Sequence, residues 1–238
     1  MKKVAVIFAG GVGQRMTNST KPKQFLEVNG KPILVYTLEK FQTHPDIDHV
    51  VLVCVRDWID YAKMLIRRYE LTKVETVIPG GSNGHQSRYL GLKKTRDLYG
   101  DCMVLIHDGV RPLIDHKTIT DCIESVETKG SAVVGTSSTE TIAVVKSDSE
   151  CKIIPREQCV LLRAPQCFRL GEIIRLFDQA EEEGIVDCID AATLMQYYQK
   201  NIIIINGPPE NIKITTPLDF FVFKGILEIQ NSKEVFGL

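Results

Sequence analysis

The chain is short of the features that would give its role away at once. Its seven cysteines contain no CxxC pair and are scattered through apolar segments. That argues against a metal cluster and for reduced, mostly structural thiols, with the cytoplasm as the expected location. No segment approaches the roughly 18 consecutive apolar residues of a membrane span. The opening MKKVAVIFA has only a superficial likeness to a signal peptide: its apolar run is short and gives way to GGVGQR without an A-x-A-like cleavage site. Net charge is close to nil, 29 Lys and Arg against 30 Asp and Glu. General attraction to nucleic acid or to an anionic membrane is therefore not expected, and any basic site has to be local. Internal repeats, low-complexity tracts and an interdomain linker are missing too, so residues 1–238 are taken as a single domain.

What is present is a substantial core, with 44% hydrophobic residues in 238. Short Val- and Ile-rich runs recur: VAVIF, HVVLVCV, VETVI, CMVLIH and SAVVGT. Continuous rather than alternating apolar runs suit strands covered on both faces. Between them lie helical patterns, such as Trp58, Tyr61, Ala62, Leu65, Ile66 and Tyr69 on one face of DWIDYAKMLIRRY. This alternation predicts an α/β fold, a Rossmann-like, doubly wound and mostly parallel sheet. Residues 137–159 break the pattern with two β-like runs, TIAVV and CKII, joined by KSDSE, and predict a projecting hairpin arm. Helices are expected over Leu170–Glu183, near Ala191–Tyr198 and in LDFFVFKGILEIQ, and a strand in NIIIIN.

Chemistry concentrates in five stretches. FAGGVGQRM follows the first strand, where an open α/β sheet presents its ligand crevice. Gly10, Gly11 and Gly13 would admit an anion to the backbone N–H groups, and Arg15 adds a fixed charge. Two familiar motifs fail here: GxxxxGK[ST] is absent, and Met16 stands where a GxGxxG fingerprint needs its third glycine. Anion cradle and plain glycine turn both stay open on this loop alone. In TKPKQF, Lys21 and Lys23 flank a stiffening proline and offer a point charge for phosphate, or a solvated basic loop. PGGSNGHQS reads either as a base-edge contact or as a βα turn with Ser82 or Asn83 as N-cap. IHDGVRP puts Asp108 at a strand end, as a Mg²⁺ ligand or as half of a buried pair with Arg111. His107, with no second His or Cys at ligand spacing, reads as a core histidine. In ENIKITTP, Lys213 sits in a short β-like run.

Taken in order, FAGGVGQRM, PKQF, the GG…S stretch, HDGVRP, APQCF, IDAATL and NIKITTP resemble the cytidylyltransferases that make CDP-activated polyols. That family includes the 2-C-methyl-D-erythritol 4-phosphate enzyme of isoprenoid synthesis and the ribitol 5-phosphate enzyme of teichoic-acid synthesis. The resemblance implies that Ala9, Gly10, Gly11, Gly13 and Arg15 wrap the CTP triphosphate with Lys23, and that Gly81, Ser82 and Ser87 contact cytosine or ribose. It implies Asp108 on Mg²⁺ or on the ribose and substrate, Lys213 on the α-phosphate, and Asp190 and Thr215 in the acceptor pocket; Arg111, read from its own charge beside Asp108, is the further candidate for the polyol phosphate. Arg156, in the arm, matches an arginine that reaches across a homodimer to the polyol phosphate. Two positions depart from the family pattern: Gly84 stands where an arginine is usual, with Arg88 one helical turn on, and Ala164 replaces a threonine before the PQ pair.

The reaction implied is attack by a polyol-phosphate oxygen on the α-phosphorus of CTP, with release of pyrophosphate. Arg15, Lys23 and Lys213 would carry the catalytic charge. AGG at residues 9–11, rather than AAG, leans towards ribitol 5-phosphate as acceptor, with methylerythritol phosphate as the alternative. An NDP-sugar nucleotidyltransferase and a non-catalytic nucleotide-binding relative are the further readings.

Overall fold

In the first strand, β1 (Lys3–Ala9), Val4 and Val6 face one buried layer and Ala5 and Ile7 the other. This two-sided burial is why the run is continuously apolar. The structure, a computed structural model, describes residues 1–10, 21–147, 150–185 and 188–236, without the side chains of residues 231 and 233–236. After β1 come the two-residue strands β2 (Glu27–Val28) and β3 (Lys31–Pro32), then α1 (Ile33–Gln42), β4 (His49–Cys54), α2 (Ile59–Arg68), β5 (Val74–Pro79), α3 (Gly84–Tyr99) and β6 (Met103–Asp108). The second half adds α4 (His116–Lys129), β7 (Ser131–Ser137), β8 (Ile142–Ser147), β9 (Glu150–Ile154), β10 (Val160–Arg169), α5 (Leu170–Glu182), α6 (Ala191–Tyr197), β11 (Ile204–Asn206) and α7 (Pro217–Phe236).

Seven strands form the central sheet in the order β11-β7-β10-β6-β1-β4-β5. Helices α1, α2 and α4 cover one face and α3, α5 and α6 the other, each contributing buried apolar residues to its layer. This is the doubly wound architecture that the periodicity predicts. The departure from parallel pairing is β10, which runs antiparallel to both β6 and β7. The chain leaves β7 through the β8–β9 ribbon and returns directly into β10. Without a crossover helix, the returning strand can only pair antiparallel.

Helix starts follow local chemistry. Asn83, Asp115 and Asp190 each accept a hydrogen bond from a backbone N–H of the first turn, of Gln86, Thr118 and Thr193 respectively. Of the two N-cap candidates in the GGSN turn, Asn83 takes the role. Gly130 ends α4 in the left-handed region, with φ of 89°, where glycine carries no Cβ penalty.

Two strand expectations are corrected. Within NIIIIN only Ile204–Asn206 pair with β7. The NIKITTP segment joins no ladder. It is an extended loop pinned by the Ile214 N–H on the Val110 carbonyl at 3.0 Å, and by burial of Ile214 with Val110, Leu113 and Phe223 under α7.

Candidate active site

The parallel register sets the carboxyl ends of the central strands side by side. Phe8 of β1 lies opposite Asp108 of β6, Ala9 opposite Cys54, and Cys54 opposite Pro79. Between β1 and β6 the strand order reverses direction, and an open α/β sheet leaves its crevice at such a point. A cleft of about 200 Å³ opens there, floored by Phe8, Ile106 and His107 and walled by Asp108, Arg111, Arg163, Gln166, Asp190 and Lys213.

Asp108 is the hub. Its Oδ2 accepts from Arg111 Nε at 2.8 Å and its Oδ1 from Lys213 Nζ at 2.9 Å. Burial alone would push the carboxyl up; Lys213 and Arg111 outweigh it and hold the group well below the usual carboxylate range. Arg111 is fixed at its other end, where Nη1 donates to the Asn211 carbonyl at 2.9 Å. Asn211, fully buried, donates in turn to the Ala164 carbonyl at 2.8 Å. One chain of hydrogen bonds thus ties β6, the NIKITTP loop and β10 around the cleft. His107 lies beneath, its Nε2 3.1 Å from the Arg111 carbonyl, and burial pushes its pKa down to about 4. It is a neutral core histidine, as the sequence suggests.

A second cluster lies along the ends of β1, β4 and β5. Ser87 Oγ accepts from the Gly81 N–H at 3.0 Å and donates to the Asn83 carbonyl at 2.8 Å. The Ser82 N–H bonds Gln86 Oε1 at 2.6 Å. A Cβ on Gly80 would lie 3.1 Å from Ser87 Oγ and 3.8 Å from the Gly10 Cα. Gly10, Gly81, Ser82 and Ser87 are therefore brought together in one backbone-rich corner. Lys23 opens a single helical turn whose next residue, Gln24, donates to the Ala9 carbonyl at 2.6 Å. That bond fastens PKQF to the end of β1. Lys21 instead faces Glu27 and Tyr61, both at 3.1 Å.

Gly11, Gly13 and Arg15 lie outside the described residues. Asp190 lines the cleft and doubles as the α6 cap; its Oδ2 also takes a bond from Gln166 Nε2 at 3.0 Å. Two predicted acceptor residues are not brought to this wall. Thr215 bonds Asp219 through both N–H and Oγ1 at 2.8 Å, and Arg156 stands exposed on the arm side beside Glu157.

The structure adds two cleft residues, Arg163 and Gln166, that carry no assignment from sequence. The register shift of β10 between Leu162 and Gln166 turns the strand locally, as bulges do, and Arg163 anchors on the Pro209 carbonyl at 2.8 Å. A lone charge in VLLRAPQCF is the signal that marks it. No group of three or more ligating side chains gathers among the described residues. The donor set instead suits a Mg²⁺ shared with substrate phosphates, because one carboxylate plus phosphate oxygens is a usual arrangement.

With this geometry, the chain was compared with known proteins. The family model described as IspD, 2-C-methyl-D-erythritol 4-phosphate cytidylyltransferase, matches residues 3–229. A ribitol-5-phosphate cytidylyltransferase of Streptococcus agalactiae serotype V is 45% identical over 240 residues, covering 100% of both chains. A 2-C-methyl-D-erythritol 4-phosphate cytidylyltransferase of Clostridium acetobutylicum is 36% identical, covering 94% of this chain and 96% of its own length. Among solved structures, the 4-diphosphocytidyl-2C-methyl-D-erythritol synthase of Anaerococcus prevotii superposes with a TM-score of 0.82 at 25% identity, over 95% of this chain and 96% of that one. A full-length match of this kind, on a fold whose crevice gathers a clamped aspartate and several cations, places the chain in the 2-C-methyl-D-erythritol 4-phosphate cytidylyltransferase family of nucleotidyltransferases.

Proposed function

We propose that the protein transfers CMP from CTP to ribitol 5-phosphate, releasing pyrophosphate and giving CDP-ribitol. The carrying observation is the Asp108 hub, with Arg111 at 2.8 Å and Lys213 at 2.9 Å, at the mouth between β1 and β6. The greater identity to ribitol-5-phosphate cytidylyltransferases, 45% against 36% for a methylerythritol phosphate enzyme, supports the choice of acceptor. The methylerythritol reading stands second, on the description of the matching family.

The acceptor phosphate is its own nucleophile, because its second pKa is about 6 and it is dianionic near neutral pH. A general base is not needed; the task is to bring two polyanions together and spread charge in the transition state. The corner of Gly10, Gly81, Ser82 and Ser87 would receive the nucleoside. Lys23, with Gly11, Gly13 and Arg15, would hold the triphosphate, and Lys213 the α-phosphate. Arg111 and Asp108 would position the acceptor. Asp108 would hold Mg²⁺ with the substrate phosphates, and the ion would supply charge neutralisation.

The arm fits a homodimer contact. Val145 and Ile153, on one face of the β8–β9 ribbon, are 71% and 64% exposed, and a partner subunit would cover them. A partner's arm would then bring Arg156 to this cleft, and Thr215 would complete the pocket rim. Seven free cysteines suit a reducing compartment such as the cytoplasm. No helix of the described residues is long and apolar enough to cross a membrane.

The test is CTP, UTP, GTP or ATP with ribitol 5-phosphate, methylerythritol 4-phosphate or glycerol 3-phosphate, with product mass measured. CDP-ribitol as the dominant product is expected. Preference for another nucleotide, or for methylerythritol phosphate, overturns the proposal.

A further inference from the structure

Gly84 and Arg88 are the first and fifth residues of α3. Helical side chains lean towards the helix N-terminus, so Arg88 folds back over the turn below it. A Cβ on Gly84 would lie 3.7 Å from Arg88 Nη1 and 3.8 Å from Nη2. The guanidinium therefore lies within van der Waals reach of where a Cβ at residue 84 would stand, so a long side chain there would compete with it for space. Arg88 lines the Asp108 cleft rather than the Gly81–Ser87 corner. Among the described residues its one hydrogen bond is a long one, from Nη1 to the Cys188 carbonyl at 3.4 Å, out of the five N–H groups a guanidinium carries.

Its electrostatic setting differs from that of the other cations in the cleft. Burial disfavours the charge on Arg88, and the carboxylates of Asp108 and Asp190 only partly counter it. Arg111 and Lys213 make direct ion pairs with Asp108, and Arg163 anchors to backbone. Arg88 shares the cleft lining with Asp108 and Asp190. It is a good donor for a neutral hydroxyl, which can accept from the guanidinium and donate to Asp190.

We infer that Arg88, admitted by Gly84, is a specificity-determining residue that reads a hydroxyl of the polyol acceptor in the cleft it shares with Asp190. The inference rests on the cytidylyltransferase reading and adds to it the chemical class of the acceptor: an alditol phosphate long enough to carry a hydroxyl to Arg88.

The test compares wild type, Arg88→Met and Gly84→Arg in steady-state pyrophosphate release, with CTP and either ribitol 5-phosphate or the shorter glycerol 3-phosphate. Melting temperatures check the fold. Losing a charged donor to a substrate hydroxyl lowers kcat/KM about 10- to 100-fold. That loss is expected for ribitol 5-phosphate in both variants, with KM for CTP and turnover of glycerol 3-phosphate within about threefold of wild type. Arg88→Lys is expected to recover part of the ribitol phosphate activity. A raised KM for CTP with unchanged acceptor kinetics would assign Arg88 to the nucleotide and overturn the inference. Equal losses on both acceptors would make it merely structural and overturn it too. Failure of wild type to use any polyol phosphate would instead sink the underlying reading.

Discussion

Replacing Lys213 by alanine separates the two roles that its contacts allow. In the fold, Lys213 makes one ion pair, 2.9 Å from Asp108 Oδ1, and its side chain is 41% exposed. Screening keeps such a pair to about 0.2–1 kcal/mol. Asp108 also keeps Arg111 at 2.8 Å, so the carboxylate is not abandoned. In a chain of this size about 1 kcal/mol shifts Tm by roughly 2–4 °C, so the variant should melt within about 4 °C of wild type. In catalysis, a preorganised cation facing charge that develops in the transition state is worth about 2.7–4 kcal/mol, or 10²–10³ in rate. The two effects differ several-fold, which is what makes the experiment decisive. Pyrophosphate release at saturating CTP and ribitol 5-phosphate, beside a thermal melt, reads both. A kcat within about threefold of wild type would refute the role given to Lys213. A melt lowered by more than about 8 °C would show that the lysine chiefly holds the NIKITTP loop.

Two further predictions test the scaffold under the site. His107 is held neutral by burial, its pKa lowered from 6.5 to about 4; the unfolded chain therefore binds the extra proton first as pH falls. Its contribution to stability is full above about pH 6.5 and drains away towards pH 4, amounting to about 2 kcal/mol by pH 5. Urea unfolding at pH 7.5 and pH 5 should show wild type losing clearly more stability than His107→Gln, and equal losses would contradict this. Asn211→Ala would leave the Ala164 carbonyl without the donor now at 2.8 Å, inside a fully buried site. The expected cost is about 1–3 kcal/mol, together with a fall in kcat as the loop carrying Lys213 loosens. An unchanged melting curve would show that the bond contributes nothing.

The layers and the doubly wound sheet were legible because two-sided burial writes a continuous apolar run. Val4 and Val6 need one layer, and Ala5 and Ile7 the other. The direction of β10 was not legible, since VLLRAPQCFR has the same composition whichever way it pairs. Direction follows from the ribbon before it, a fact about connection rather than propensity. NIKITTP shows the opposite error. Its alternation looks like a strand, but Asn211 and Ile214 are buried by side-chain and backbone bonds to β10 and Val110, and ladder neighbours are lacking.

The site divides along the same line. Asp108, Lys213, Gly81 and Ser87 stand next to turns or strand ends, where local sequence announces them. Arg163 is marked only by its lone charge in VLLRAPQCF, and Arg88 only by its place one turn after Gly84. One reaches the cleft through a register shift in β10, the other by folding along a helix over a missing side chain. Gly84 carries information only in combination with Arg88. Read alone it is the loss of a charged group; read with the helix geometry it is the opening through which a different arginine is delivered to a different wall. Chemistry set by such pairs escapes any motif that scores positions one at a time. On the proposal for Arg88, branches of one family with the same loop motifs would differ in acceptor through residues that no motif includes.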